Sequence, residues 1–331
     1  MEPTIGRRTG LSADLPSAAF PRMKGPMQTS RLPPAPGSPM ASPAKRAMTR
    51  RGFLRGTVAA GCLILAPRRS HAAGSTDLDF PIEDLHVHLD NSTIDKVVPL
   101  AKERGVKFGI VEHAGTKENQ YPIVLSNDAE LKAYVAMLEG QPVYKGIQAE
   151  WTDWMGCFSR DALAQLDFIL TDTMTFPGKD GQRVKLWLEG AEAKVGLTDK
   201  EAFMDRYVDW HIEILSKQPI DLLANVSWLP GSMAGEYERF WTEARVKRVL
   251  DAALKFGVAL EISASFKLPR LSFLRQAKAA GVRFCLGSNG RYPNMGQLGW
   301  SLEMARTLGL KKSDLYTPGP PGLRAADRRK F

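Results

Sequence analysis

From residue 81 onward the apolar positions follow two alternating rhythms. Short runs that are continuous or of period two, at Ile82–Leu89, Lys107–Glu112, Val143–Ala149, Asp167–Thr173, Ile220–Ser227, Ala259–Ser265 and Arg283–Ser288, read as strands. Between and after them, apolar residues recur at helical spacing over Thr93–Arg104, Asp128–Leu138, Ser159–Leu166, Asp199–Lys217, Tyr237–Phe256, Pro269–Ala280 and Leu298–Leu308. Seven strand-then-helix units in unbroken order predict an α/β chain, its parallel sheet covered by helices as a distorted (β/α)7 TIM-like barrel. Asn127 and the sequence Thr198-Asp-Lys-Glu201 carry helix-start signals. Gly105, Gly257, Gly281 and Gly309 stand where helices should end. Phe176–Gly196 interrupts the rhythm and reads as a lid or substrate loop, with equal weight given to plain padding.

The chain of 331 residues carries a formal charge of +9, but unevenly. Residues 1–72 hold 12 of the Lys and Arg residues against Glu2 and Asp14, leaving 33 basic and 34 acidic residues in the body. A near-neutral body does not support a basic nucleic-acid footprint. Thr49-Arg-Arg-Gly-Phe-Leu-Arg55, the apolar stretch from Gly56 to Pro67 and Ser70-His-Ala-Ala73 read together as a twin-arginine signal over 48–72, cleaved near Ala72 or Ala73. Export of the folded chain by the twin-arginine machinery, to the periplasm or beyond, is the expectation. The apolar stretch is well short of the roughly 20 residues of a membrane-spanning helix, so no permanent span is expected. Residues 1–47, rich in Pro, Ser and Ala, read as a disordered or wrongly included extension, 73–310 as the barrel, and 311–331 as a flexible basic tail. In the body only Cys157 and Cys285 remain, too few for a disulfide scaffold.

Candidate chemistry lies at the ends of the predicted strands. His86-Val87-His88 puts two imidazoles on one face of a strand, with Leu85, Val87 and Leu89 on the other. The next apolar run ends in His113 and the one after it in Glu150. Imidazoles and carboxylates suit Zn, Mn or Fe, so His86, His88, His113 and Glu150 are candidate ligands for one or two divalent ions that would activate water. Taken singly, each histidine is better explained as a hydrogen-bonded strand residue; it is the four residues together that favour metal. His211, inside a helix among Phe203, Tyr207, Trp210 and Ile214, reads as structural.

These motifs resemble the PHP (polymerase and histidinol phosphatase) hydrolases. The likeness runs from about Pro81 to Arg306, on Asp84-Leu-His-Val-His, Ile110-Val-Glu-His113, Glu150, Asp167-Phe-Ile-Leu, Leu260-Glu-Ile and Leu286-Gly-Ser-Asn-Gly-Arg291. It implies a seven-unit barrel of the PHP type, up to three metals, hydrolysis of a phosphoester or other small anionic substrate, and His86, His88, His113 and Glu150 as ligands. The departures are Met174 and Asn225, where the family has histidines, and Asn289 and Arg291, where it has an acidic ligand and a histidine. Asn289 is left as a weak ligand through its amide oxygen. Arg291 is left as a fixed cation in place of one ion or as an anion binder, and Asp172 and Glu261 as auxiliary ligands or bases. The sequence thus leads to an exported PHP-like metal-dependent hydrolase. Two alternatives stand beside it, a non-catalytic metal- or anion-binding remnant of such a barrel and an amidohydrolase-type hydrolase or deaminase.

Overall fold

The computed structural model describes residues 78–319 and 322–329; the expected extension over 1–47 and the expected signal over 48–72 lie outside them. Seven parallel strands form a nearly closed, TIM-like barrel in chain order: β1 Glu83–Val87, β2 Lys107–Ala114, β3 Tyr144–Ala149, β4 Phe168–Thr171, β5 Leu222–Leu223, β6 Ala259–Ser263 and β7 Phe284–Gly287. The main helices are α1 Ile94–Arg104, α2 Asp128–Leu138, α3 Arg160–Leu163, α4 Lys200–Lys217, α5 Glu243–Phe256, α6 Leu271–Ala280 and α7 Gly299–Leu308. Among the described residues, no helix is long and apolar enough to cross a membrane.

The barrel closes just beyond β7. His88 N donates to Gly290 O at 2.9 Å and Gly290 N donates to His86 O at 3.1 Å. Asp84 clamps the same seam: Oδ1 accepts from Ser288 N at 2.9 Å, and Oδ2 from Ser288 Oγ at 2.5 Å and Gly296 N at 2.8 Å.

The interior is filled by Leu85, Val111, Phe168, Leu170, Leu222, Ala224, Ala259 and Cys285, with Tyr144 packed beside them, so every barrel strand contributes. Phe168 enters only because Gly109 and Gly146 face it; a methyl group at Gly146 would lie 2.6 Å from Phe168 Cζ. Leu85 corrects the expected alternation. A register irregularity between Asp84 and Val87 puts Leu85 in the barrel interior, while Val87 and Leu89 pack in the larger core under the helices.

Other differences have local causes. β5 is shorter than the predicted run because Asn225 and Ser227 take left-handed backbone, at φ 50° and 69°. The helix predicted over Tyr237–Phe256 breaks into Tyr237–Phe240 and α5, with Thr242 capping the second piece by accepting from Arg245 N. Asp199 rather than Thr198 caps α4, accepting from Ala202 N at 3.0 Å. Asn127 caps α2 as expected, and Gly105, Gly257, Gly281 and Gly309 end their helices in left-handed backbone.

The tail expected to hang loose from 311 is instead bound to the barrel over its described residues. Tyr316 N bonds Phe284 O, Ala325 N bonds Asp221, and buried Arg324 bonds the carbonyls of Ala164 and Leu166. Those carbonyls end the segment before β4 and have no sheet partner, so a guanidinium with several donors satisfies them. The segment Phe176–Gly196 is built around an antiparallel hairpin, Thr175–Pro177 with Arg183–Lys185.

His211 is fully buried in α4, its Nδ1 on Tyr207 O at 2.7 Å and its Nε2 on Thr173 Oγ1 at 3.0 Å. Burial pushes it down to about 4 from 6.5. The unfolded chain therefore binds a proton there between pH 6.5 and about 4 while the folded chain does not. Stability falls as pH drops through that window, by on the order of 3 kcal/mol from this one group. His211→Gln should lose correspondingly less stability on acidification. Equal pH slopes of denaturant unfolding for the two proteins would refute the assignment.

Candidate metal site

Three side chains converge at the C-terminal rim of β1 and β2. His88 and Asp90 follow the end of β1, and His113 lies near the end of β2; one ligand atom from each falls within 4.8 Å of the others. The atoms concerned are buried and unpartnered: Nδ1 and Nε2 of His88, Oδ1 of Asp90 and Nε2 of His113. Such atoms are costly to bury without a partner. Their convergence fits a divalent cation.

The surroundings orient each of the three. Glu150 Oε1 receives His113 Nδ1 at 2.8 Å, leaving Nε2 as the nitrogen with a free lone pair. Arg291 Nε donates to Asp90 Oδ2 at 2.6 Å, leaving Oδ1. The rings of His88 and His113 stack at 4.7 Å, and Tyr121 lies flat on His113 at 3.5 Å with its hydroxyl donating to Glu150 Oε2 at 3.2 Å. Lys185, from the inserted hairpin, sits over the Tyr121 ring at 3.7 Å and donates to Asn119 O at 2.5 Å. The hairpin thus packs against Tyr121 and Asn119 beside the site.

Burial, reinforced by the charge of Arg291, holds His88 well below the usual histidine range, and burial does the same to His113. Both are neutral, the form that binds metal. Glu112 accepts from Leu89 N at 2.7 Å, and burial and the charge of Asp90 raise it well above the usual carboxyl range. Glu150 is raised to about 7 by burial, and Asp172 to about 7 by burial and the charge of Glu150.

Of the five expected ligands, His88 and His113 present free nitrogens and the others spend their atoms elsewhere. His86 has Nδ1 on Glu261 Oε1 at 2.7 Å and Nε2 on Gln148 Oε1 at 2.9 Å. Burial alone would lower it, but the charge and hydrogen bond of Glu261 outweigh that and leave it raised. Glu150 is held by His113, Tyr121 and Gln148, and Asn289 gives its Oδ1 to Arg291 Nη1 at 3.2 Å. Among the three expected catalytic groups, Glu261 is buried against His86 and accepts from Asn225 N at 2.8 Å through Oε2. Asp172 bonds Met174 N and Asn225 Nδ2, and Arg291 reaches the site through Asp90. Asp90, Gln148, Tyr121 and Lys185 escaped the sequence reading. Asp90 alone carried a signal, since it continues the period of two through His86 and His88.

Neither a family model nor a curated protein matches the chain. Ten chains of solved structure do. One is the crystal structure of a HpcH/HpaI aldolase/citrate lyase family protein from Burkholderia cenocepacia J2315, at 18% identity and TM-score 0.31, covering 70% of this chain and 94% of that one. At that level the likeness transfers no activity. The resemblance to PHP hydrolases is nevertheless corrected: the chain matches no such family, and this structural neighbour is described as an aldolase/citrate lyase family protein. The physical reason is visible in the site, where His86 and Glu150, two of the four ligands on which the resemblance rests, are hydrogen-bonded into the protein. The PHP-like hydrolase falls with it, as do the non-catalytic PHP remnant and the amidohydrolase-type reading.

Gly287 leaves room for Glu261 and His86 beneath the site residues, because a methyl group there would lie 1.8 Å from Glu261 Oε1 and 2.9 Å from His86 Cβ. Gly287→Ala should destabilise the fold by about 3 kcal/mol, the upper end for overpacking, since the displaced group is a buried carboxylate. Denaturant unfolding measures it. A loss under about 1 kcal/mol would mean that Glu261 and His86 are not held as described.

Proposed function

We propose that this barrel is a metal-dependent enzyme whose His88, Asp90 and His113 hold one divalent transition-metal ion for lyase-type chemistry on a small carboxylate substrate. The observation that carries this reading is the buried convergence of unpartnered donor atoms from those three residues. Two imidazoles and one carboxylate leave further coordination positions open to substrate. Such an ion supplies Lewis acidity, drawing charge from a substrate carbonyl oxygen.

The remaining work falls to the chain's own residues. Glu150 holds His113 in the tautomer that offers Nε2, and Arg291 holds Asp90. Arg291 keeps Nη2 without a hydrogen bond among the described residues, and Lys185 lies across the rim, so an anionic substrate meets two cations there. Asp172 is part-buried beside Asn225 and within electrostatic reach of Lys185 and Glu150, a position suited to taking up and returning a proton. Proton transfer next to a polarised carbonyl is what making or breaking a carbon–carbon bond requires, and the arrangement favours 2-oxo acids, which offer a carbonyl and a carboxylate together. Export to the periplasm or beyond by the twin-arginine route belongs to the same proposal; its support is Arg50-Arg51 with the apolar run after it.

Purified protein should bind about one equivalent of Zn, Mn or Fe by elemental analysis, and His88→Ala with His113→Ala should remove it. Failure of the wild type to take up metal on titration would overturn the site. Metal-loaded protein should cleave one or more hydroxylated 2-oxo acids, with cleavage stopped by chelator and restored by the ion. Cleavage that survives the chelator and the double variant, or no cleavage across the panel, would overturn the lyase reading.

A further inference from the structure

Behind the three converging side chains, a line of hydrogen bonds crosses the barrel interior from β6 to β2. Glu261 Oε1 meets His86 Nδ1 at 2.7 Å, His86 Nε2 meets Gln148 Oε1 at 2.9 Å, Gln148 Nε2 meets Glu150 Oε1 at 3.1 Å, and the same Oε1 meets His113 Nδ1 at 2.8 Å. His86, Glu261, Gln148, Glu150 and His113 are all buried, so water does not satisfy these groups in their place.

The direction of the line follows from what each group can do. In its ionised form Glu150 has only lone pairs to offer, so the hydroxyl of Tyr121, the amide of Gln148 and Nδ1 of His113 all donate to it. Gln148 therefore turns Nε2 to Glu150 and Oε1 to His86. His86 must donate to that oxygen, and it donates to Glu261 as well. At its other oxygen, Glu261 is held by the backbone N–H of Asn225 at 2.8 Å.

We infer that Gln148 is a positioning residue: braced from behind by His86 and Glu261, it fixes the carboxylate of Glu150 against His113 Nδ1, so that His113 presents Nε2 towards His88 and Asp90. His86 is then a strut in this line and not a ligand. Leucine at 148 would keep the volume and remove both hydrogen bonds. Glu150 would lose one of the three donors that orient it, and His113 would lose its fixed tautomer.

The first test needs no metal, so it stands apart from the reading of the site on which the second rests. In metal-free protein labelled with 15N at histidine, the ring of His113, assigned by its loss in His113→Gln, should carry its proton on Nδ1. In Gln148→Leu the Nε2–H tautomer should appear beside it. An unchanged tautomer in that variant would overturn the inference. The second test is titration with Zn2+ or Mn2+ of the wild type, Gln148→Leu, Glu150→Gln and the double variant. Gln148→Leu alone should weaken binding about tenfold, the scale of a lost supporting contact behind a metal-binding histidine. Added to Glu150→Gln it should cost little more, because its effect passes through Glu150. Equal losses in both backgrounds would show that Gln148 acts only through the fold and would overturn the inference. Gln148→Met, which keeps length and shape, carries both tests if the leucine variant does not fold. Should the wild type bind no metal, the metal reading fails, and the tautomer still decides the role of Gln148.

Discussion

One carboxyl group reinforces the backbone bonds that close the barrel at Gly290. Asp84 accepts the backbone N–H and the hydroxyl of Ser288 and the N–H of Gly296, so this side chain adds three bonds between the first strand and the chain beyond the last. Its burial raises it to about 6, against the pull of those same bonds. The tie matters because the site straddles the seam. Asp90 belongs to the chain after β1 and Arg291 to the chain after β7, and their 2.6 Å contact exists only where those two segments meet. Without the clamp at Asp84, the candidate ligand from one end of the barrel would lose the cation that orients it from the other.

Above that seam the buried carboxylates divide the work by what surrounds them. Asp84 is saturated by donors from the backbone and Ser288 and serves closure. Glu261 is saturated by His86 and Asn225 N and serves the interior. Glu150 is saturated by His113, Gln148 and Tyr121 and serves orientation. Asp90 joins a strong partner on one oxygen to an unpartnered buried oxygen grouped with His88 and His113, and Glu112 beside it likewise keeps one oxygen unpartnered. A count of acidic residues near the rim would make all of these equivalent. Their hydrogen-bond partners do not.

Much of the frame was legible in the sequence because the barrel repeats a local rule. Each strand needs an apolar run and each helix an apolar stripe, four of the seven main helices end in a left-handed glycine, and those signals lie within a dozen residues of one another. The placements that failed depend on non-local geometry. The irregularity between Asp84 and Val87 cannot be seen in an alternation that looks regular, yet it sends Leu85 into the interior among Val111 and Phe168. The terminal segment reads as loose because it is basic and rich in Pro and Gly. Arg324 is nonetheless bound, donating to carbonyls about 160 residues earlier in the chain.

The same distinction explains why the two histidines of the motif have different surroundings. Two histidines at alternate positions must share a face, and that face does point to the site rim. What period two cannot say is how deep each one sits. His86 lies lower, level with Glu261 and Gln148, where the interior already supplies an acceptor for each of its nitrogens. His88 stands one pleat higher, where neither nitrogen has a partner, beside Asp90 and the bare nitrogen of His113. A candidate ligand differs from its strand neighbour by the partners that other strands bring to its level. In this barrel those partners come from β3 and β6, some 60 and 175 residues further along the chain, and no motif written on one strand contains them.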